Sequence, residues 1–351
     1  MRILLDLYKM KTLNSGLGQF SKNFAETALR WTPSEYQLNF LLPAGSNFDT
    51  QHTPAISANL WRRYFPQFNP NYDLWHSLQQ YPSFFPNSKT KQLLTVHDLN
   101  FLIEKSKVKQ QKYLDILKRN IEKATAINCI SEYTASVLKS RINVEGKPMR
   151  IIYCGSKVQE FPEFVPDFPW LKKKYFFSVG IFNAKKNFEV LIPLMNYFED
   201  YMLVIAGNHQ TAYGNKVKDL IEKHQLQNRV MLPGQISEEE KYWLYAHTEA
   251  LLFPSLAEGF GLPVIESMSQ GKPVFLSRET ALPEFGGDLA YYFESFQAEE
   301  MANFIQEKLS LFSQNGVELK GKLKDQAAKF SWENCLNAYL SYYSDIHSMK
   351  K

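Results

Sequence analysis

Cysteine is scarce. Only Cys129, Cys154 and Cys335 occur in 351 residues. They are scattered, form no pair at metal-ligand spacing, and cannot all be bridged within one chain. A disulfide scaffold and a zinc module are therefore excluded, and a reducing, cytoplasmic setting is expected. No run approaches the roughly 18 apolar residues of a membrane span. The opening MRILLDLYKM reads as a short apolar strand running into charge, without a signal-peptide core or cleavage site. Neither sign of charge dominates: 40 Lys and Arg against 36 Asp and Glu leave +4, too little to argue for nucleic acid. There is no Asp-x-Asp motif and no cluster of His, Cys and carboxylates at metal spacing, so no catalytic metal is expected. Nucleophile-elbow patterns, internal repeats and low-complexity segments are also missing.

Apolar and aromatic side chains are abundant. Hydrophobic residues make up 44%, with 26 Phe, 19 Tyr and 6 Trp, enough to fill substantial cores. The length suits two domains of roughly 100 to 200 residues each. Short apolar runs alternate with stretches of helical period, the signature of βαβ units and a parallel sheet. RILLDL, YQLNFLL, YDLWHS, QLLTVHD, TAINCIS and MRIIYC read as strands, with helices near residues 18–30 and 108–123. EFPEFVPDFPW holds three prolines in eleven residues and reads as a linker. Alternation then resumes with KYFFSVG, YMLVIAG, RVMLPG, EALLFPS and KPVFLS, and helices near 188–199, 216–225, 238–246 and 263–270. The expectation is an α/β chain of two Rossmann-like βαβ domains facing across a cleft, residues 1–165 and 166–331. A terminal helix within 332–351 would pack back on the first domain.

The most informative stretch is FPSLAEGFGLPVIESMSQGKPV. A strand ends, a glycine-rich turn follows, and Pro263 stands in the first turn of a helix. Backbone N–H groups of Gly259, Phe260, Gly261 and Leu262 would face out of that helix start, a ready site for phosphate. Glu258 precedes the turn and Glu266 lies one helical turn inside, so both carboxylates can reach one pocket at the carboxyl end of the sheet. Beside a phosphate their natural task is to accept hydrogen bonds from sugar hydroxyls.

EGFGLPVIE resembles the donor-site signature of glycosyltransferase family 4, the group 1 glycosyl transferases, retaining enzymes of the GT-B fold. PGQISEEEKYWLYAHTEALLFPS before it and GKPVFLSRETALPEFGGDLAYYF after it resemble the same family. The resemblance covers nearly the whole chain, is strongest over residues 176–293, and leans towards mannosyltransferases. It implies that the second domain binds a nucleotide diphosphate sugar, with Glu258 on the hexose and Glu266 on the ribose, and that the first domain binds the acceptor.

SVGIFNAKKNFEVL follows a strand and Gly180, and places Lys185 and Lys186 before a helix expected near Asn187. Two cations there can neutralise a diphosphate as it leaves. Similar relatives carry Arg-Lys-Asn here, so Lys185 substitutes a point charge for a bidentate fork. Where some of them place Arg after the glycine, this chain has Ile181. NSGLGQFSKNF sets Gly16 and Gly18 before a helix. A dinucleotide loop is excluded by Ser21 at the third glycine position, by the distance from the strand, and by the lack of an acidic residue closing the second strand. The resemblance matches these glycines to a loop approaching the donor diphosphate. It likewise places His97 and Asp98 of TVHDLNF near the transferred sugar or the acceptor. Ser131 reads as a helix N-cap, with an acceptor contact as the other reading. Ile236, with Gly234 and Gln235, is matched to the nucleobase. The stretch from Lys105 to Lys123 carries seven Lys or Arg. It reads as a solvated helix face, with Val108, Leu114, Leu117 and Ile121 on its apolar side, or as a contact with anionic lipid.

The expected activity is metal-independent hexosyl transfer from GDP-mannose or a UDP-hexose to a glycan or lipid-linked hydroxyl, in surface polysaccharide synthesis. No cofactor and no nucleic acid partner are expected, and the enzyme would be cytoplasmic with peripheral membrane contact. The alternatives are a non-catalytic nucleotide-sugar-binding subunit and a GT-B-like phosphorylase or epimerase.

Overall fold

A computed structural model describes residues 1–13, 15–157, 161, 163–168 and 173–349. The chain divides into two compact units, Met1–Gly155 with Phe330–Lys351, and Ser156–Lys329. Gly155, the last residue of the first segment of the first unit, lies directly beneath Trp332, whose ring and Cα fill the place of a β-carbon. Residues 160, 162, 169 and 170 of the proline-rich stretch read as a linker lie outside the described residues.

The first unit holds seven parallel strands: β1 (Arg2–Asp6), β2 (Gln37–Leu42), β3 (Ala55–Ser57), β4 (Leu74–Ser77), β5 (Lys91–Val96), β6 (Ala126–Cys129) and β7 (Met149–Ile151). Their order is β3-β2-β1-β4-β5-β6-β7. The central strands are buried on both faces, as sheets covered by helices on both sides require. Strand order reverses between β1 and β4, where Asp6 pairs with Ser77. Crevices for ligands open at such reversals, beyond the carboxyl ends of the strands.

The closing helix, Trp332–Ser348, belongs to this unit and buries Tyr339, Tyr342, Tyr343 and Ile346. Beneath it a polar chain crosses three strands. Thr95 donates to Asn128 (2.7 Å), Asn128 donates to Tyr339 (2.9 Å), and His76 bridges Thr95 (2.8 Å) and Tyr343 (2.7 Å). Since the Thr95 proton goes to Asn128, His76 donates from Nε2 and accepts at Nδ1, as a neutral imidazole. Burial pushes its pKa down to about 3.

The second unit holds β8 (Lys174–Val179), β9 (Tyr201–Ala206), β10 (Val230–Gly234), β11 (Ala250–Phe253), β12 (Val274–Leu276) and β13 (Tyr291–Tyr292). They are parallel, in the order β10-β9-β8-β11-β12-β13, with the reversal between β8 and β11. One helix expected from the sequence is broken. Residues 188–199 form a 3₁₀ turn Phe188–Val190, a short helix Leu191–Leu194 and a second 3₁₀ turn Met195–Tyr197. Pro193 supplies no N–H to a continuous helix, and Asn187 sits in the left-handed region at φ 53°. Two helices, Ala298–Gln314 and Gly316–Ala328, complete the unit. Among the described residues no helix is long and apolar enough to cross a membrane.

Candidate active site

At the reversal point of the second unit the loops after β8 and β11 are tied together. The Lys185 carbonyl accepts from Leu256 N (2.6 Å) and from the Ser255 hydroxyl (3.1 Å). Lys185 and Lys186 lie in a 3₁₀ turn, Ala184–Lys186, and no regular helix starts at Asn187 as the sequence reading expected. Lys186 turns back across the sheet end. Its Nζ is 2.6 Å from Glu258 Oε1 and stands over the Phe253 ring at 4.6 Å. Gly180 makes this path available: at φ 151° it carries no side chain, and a β-carbon there would lie 2.8 Å from Lys186 Cε. Ile181 is exposed beside it.

Glu258 accepts from Lys186 and from the Ser255 hydroxyl (2.6 Å), both on Oε1, while Thr280 anchors its backbone N–H (2.9 Å). The Lys186 and Glu258 side chains are only 12% and 14% exposed. Among the described residues no bond is made to Oε2, which leaves that oxygen to accept from a ligand.

Gly259 to Leu262 follow. Gly261, at φ 107°, caps the helix Leu262–Ser269, with Pro263 in its first turn. The Phe260 ring packs on Phe285 at 4.2 Å between centroids and is buried, so only its backbone faces the helix start. Glu266 is held at both oxygens: Lys241 Nζ donates to Oε1 (3.0 Å) and the Tyr245 hydroxyl to Oε2 (2.9 Å). Burial disfavours the charged Lys241, but Glu266 and Glu238 outweigh it and hold the ammonium above its usual range. The Tyr245 phenol is pushed well up, by burial and then by Glu266. Each Glu266 oxygen keeps a lone pair for a further hydroxyl.

A cavity of about 790 Å³ opens at the amino ends of β8 and β12, lined by Lys174, Glu249 and Lys272. It lies on the opposite edge of the sheet from these charges. Convergent functional groups, not volume, mark the site.

The profile of the family described as Glycosyl transferases group 1 matches residues 161–329. The chain carries a group 1 glycosyl transferase domain. The O-antigen chain mannosyltransferase B of Escherichia coli is 25% identical over 282 residues, 75% of this chain and 72% of that one. A serotype-specific mannosyltransferase WbdA of Escherichia coli is 27% identical over 273 residues, 71% of this chain and 32% of that one. Among solved structures, sucrose-phosphate synthase of Thermosynechococcus elongatus superposes with a TM-score of 0.78 at 18% identity, over 99% of this chain and 100% of that one. Anabaena HepE, solved with UDP and glucose, gives 0.76 at 16%, over 98% and 100%. At these identities the likeness is one of fold, the GT-B type.

Within the transferase domain Lys185, Lys186, Gly180, Glu258, the Gly259–Leu262 turn and Glu266 all lie at the carboxyl end of the sheet. Ile236 follows β10 at the same edge, half-buried. Sequence reasoning did not find Ser255, Lys241, Tyr245 or Thr280. Lys241 and Tyr245 share one helix face at i, i+4 (Glu238–His247), and that spacing was the available signal.

In the first unit Gly16 and Gly18 form the first turn of the helix Gly16–Trp31, not a loop before it. A β-carbon on Gly18 would run into the Thr12 carbonyl, whereas Gly16 faces open space. Phe20 of this helix meets the His97 ring at 4.9 Å, edge to face. His97 is buried and its Nε2 donates to the Leu78 carbonyl (2.8 Å), leaving Nδ1 as an acceptor. Burial pushes its pKa down to about 4, so at neutral pH it has no second proton to give. Asp98 is half-buried and accepts from Asn100 N (2.9 Å). Ser131 is fully buried: it accepts from Thr134 N (3.1 Å) and donates to the Thr134 hydroxyl (2.8 Å). That is the N-cap reading, and no face of Ser131 is open to an acceptor. Asp6, which sequence reasoning missed, ends β1 with Oδ2 buried and without a hydrogen bond among the described residues. Burial pushes its carboxyl up to about 7.

Among the described residues no group of three His, Cys, Asp or Glu could hold a metal ion. The lysine-rich stretch is the helix Lys107–Lys123, with Leu117 and Ile121 buried. Val108, assigned to its apolar side, is 82% exposed, because the first turn of this helix projects beyond the cluster that covers Leu117.

Proposed function

We propose that the chain moves a hexose, mannose by analogy with its curated relatives, from a nucleotide diphosphate sugar to a hydroxyl of a glycan or lipid-linked saccharide in surface polysaccharide synthesis. The observation that carries this reading is the Lys186–Glu258 ion pair spanning the β8/β11 reversal, beside the helix start at Gly261. A diphosphate seated there meets Lys186, Lys185 and backbone N–H groups, fixed positive charges aimed where the leaving group gains negative charge. Glu258 Oε2 accepts from a sugar hydroxyl, Glu266 from the ribose, and Ile236 meets the base.

In the reaction the C1–phosphate oxygen bond breaks with its electron pair leaving on the diphosphate. The acceptor oxygen bonds C1, and the acceptor proton passes to the departing phosphate oxygen. This same-face path retains configuration and needs no enzyme nucleophile. It suits a site in which Glu258 is already committed to a cation. In the first unit His97 Nδ1 and Asp98 accept from hydroxyls of the acceptor. The donor is GDP-mannose or a UDP-hexose, and no further cofactor takes part. A cytoplasmic enzyme with its lysine-rich helix towards anionic lipid suits a lipid-linked acceptor.

Thermal unfolding in the presence of UDP, GDP and their hexose conjugates tests the reading. At 100 times its dissociation constant a ligand specific for the folded state adds about 2.7 kcal/mol, a shift of several degrees. One nucleotide series is expected to raise the midpoint, and Glu266→Ala to abolish that response. A chain that responds to none of them, or a variant that responds like wild type, contradicts the reading.

A further inference from the structure

Five of the fifteen exposed large hydrophobic side chains among the described residues fall within nine positions of the first unit. Leu60 is 68% exposed, Trp61 57%, Tyr64 66%, Phe65 39% and Phe68 63%. They form a patch, not a scatter: Trp61 lies 4.4 Å from Phe65 and stacks on Phe68 at 5.8 Å. Contiguous apolar surface of this kind marks an interaction site.

The segment is held in place from below. Asn59 caps the helix Leu60–Tyr64 by accepting from Arg62 N (2.9 Å). The buried Asn69 donates to the Phe85 carbonyl (2.9 Å), and Asn87 donates to the Asn69 carbonyl (2.7 Å). The rings are therefore presented outward by a fixed base. Charge selects the partner. No Asp or Glu occurs between residues 50 and 72, while Arg62 and Arg63 stand within the patch. Trp and Tyr with Arg, without acidic residues, suit the interface of an anionic bilayer, where ring bodies enter the acyl boundary and polar tips meet headgroups.

We propose that residues 60–68 are an insertion surface that seats this protein on an anionic lipid bilayer. The surface is distinct from the lysine-rich helix Lys107–Lys123, whose lysines supply salt-sensitive attraction. The proposal rests on the transferase reading for its purpose but not for its test, because lipid binding is measured without donor or acceptor.

The experiment is co-sedimentation with vesicles of phosphatidylcholine plus phosphatidylglycerol, and of phosphatidylcholine alone, at low and high salt. Wild type, Trp61→Ser/Phe68→Ser and Lys109→Glu/Lys112→Glu are compared, with equal thermal midpoints as the folding control. Wild type is expected to prefer the anionic vesicles. The aromatic variant should lose at least about tenfold in partitioning at both salt concentrations, and the lysine variant should lose only at low salt. The proposal is overturned if wild type does not bind, if the aromatic variant binds like wild type, or if the patch instead sustains a concentration-dependent dimer that the aromatic variant abolishes. Loss of sugar transfer with vesicle binding intact would count against the transferase reading and leave this one standing.

Discussion

Lys186→Ala is expected to lower kcat for sugar transfer by about 10² to 10³-fold, the usual cost of removing one fixed charge that meets a developing anion. It should also destabilise the second unit, because Glu258 is largely buried and would lose its cation. The two effects separate in the double variant Lys186→Ala/Glu258→Gln. A neutral amide can still accept from Ser255, so unfolding midpoints should recover towards wild type while transfer stays at or below the level of Lys186→Ala. Steady-state kinetics and thermal unfolding on the four proteins of this cycle provide the check. Recovery of transfer in the double variant would mean that Lys186 serves the fold and not the leaving group.

Trp332→Ala is expected to cost about 3 to 5 kcal/mol of stability, the range for truncating a buried aromatic. The indole opens the closing helix of the first unit. It lies over Gly155 and sits 5.5 Å from the Phe20 ring, which in turn braces His97. The loss should therefore reach beyond unfolding. With Phe20 released, His97 keeps its bond to the Leu78 carbonyl but loses the ring packed against it, and transfer per folded molecule should fall as well. Chemical denaturation measures the first effect and kcat at a temperature below both transitions the second. A variant within 1 kcal/mol of wild type would show that the helix is held by its tyrosines alone.

Much of this fold is legible in the sequence. Eleven apolar runs read as strands are strands, because buried parallel strands are short, β-branched or aromatic, and bounded by turn residues. β3 and β13 were not read: three and two residues at sheet edges carry too little pattern to register. The helix expected over 188–199 failed on Pro193, where a local rule outranked the apolar period. At the site, EGFGLPVIE placed both carboxylates and the helix start, since that chemistry is contiguous in sequence. The partners that hold those carboxylates come from elsewhere in the chain. Lys241 and Tyr245 reach Glu266 from a neighbouring helix, and Lys186 reaches Glu258 only because β8 and β11 are adjacent. Pattern along one segment does not carry such pairings. Burial adds what residue type does not carry: the Ser131 hydroxyl is spent on Thr134, and desolvation pushes the His97 pKa down.

The central claim is that Lys186 meets the diphosphate of the donor. Isothermal titration of wild type and Lys186→Ala with a nucleoside diphosphate and the matching monophosphate tests it most directly. A charge-assisted contact contributes about 1.5 to 3 kcal/mol, so wild type should prefer the diphosphate by roughly tenfold or more, and the variant should lose that preference while binding the monophosphate nearly as before. Equal weakening towards both ligands, or no weakening towards either, would contradict the account.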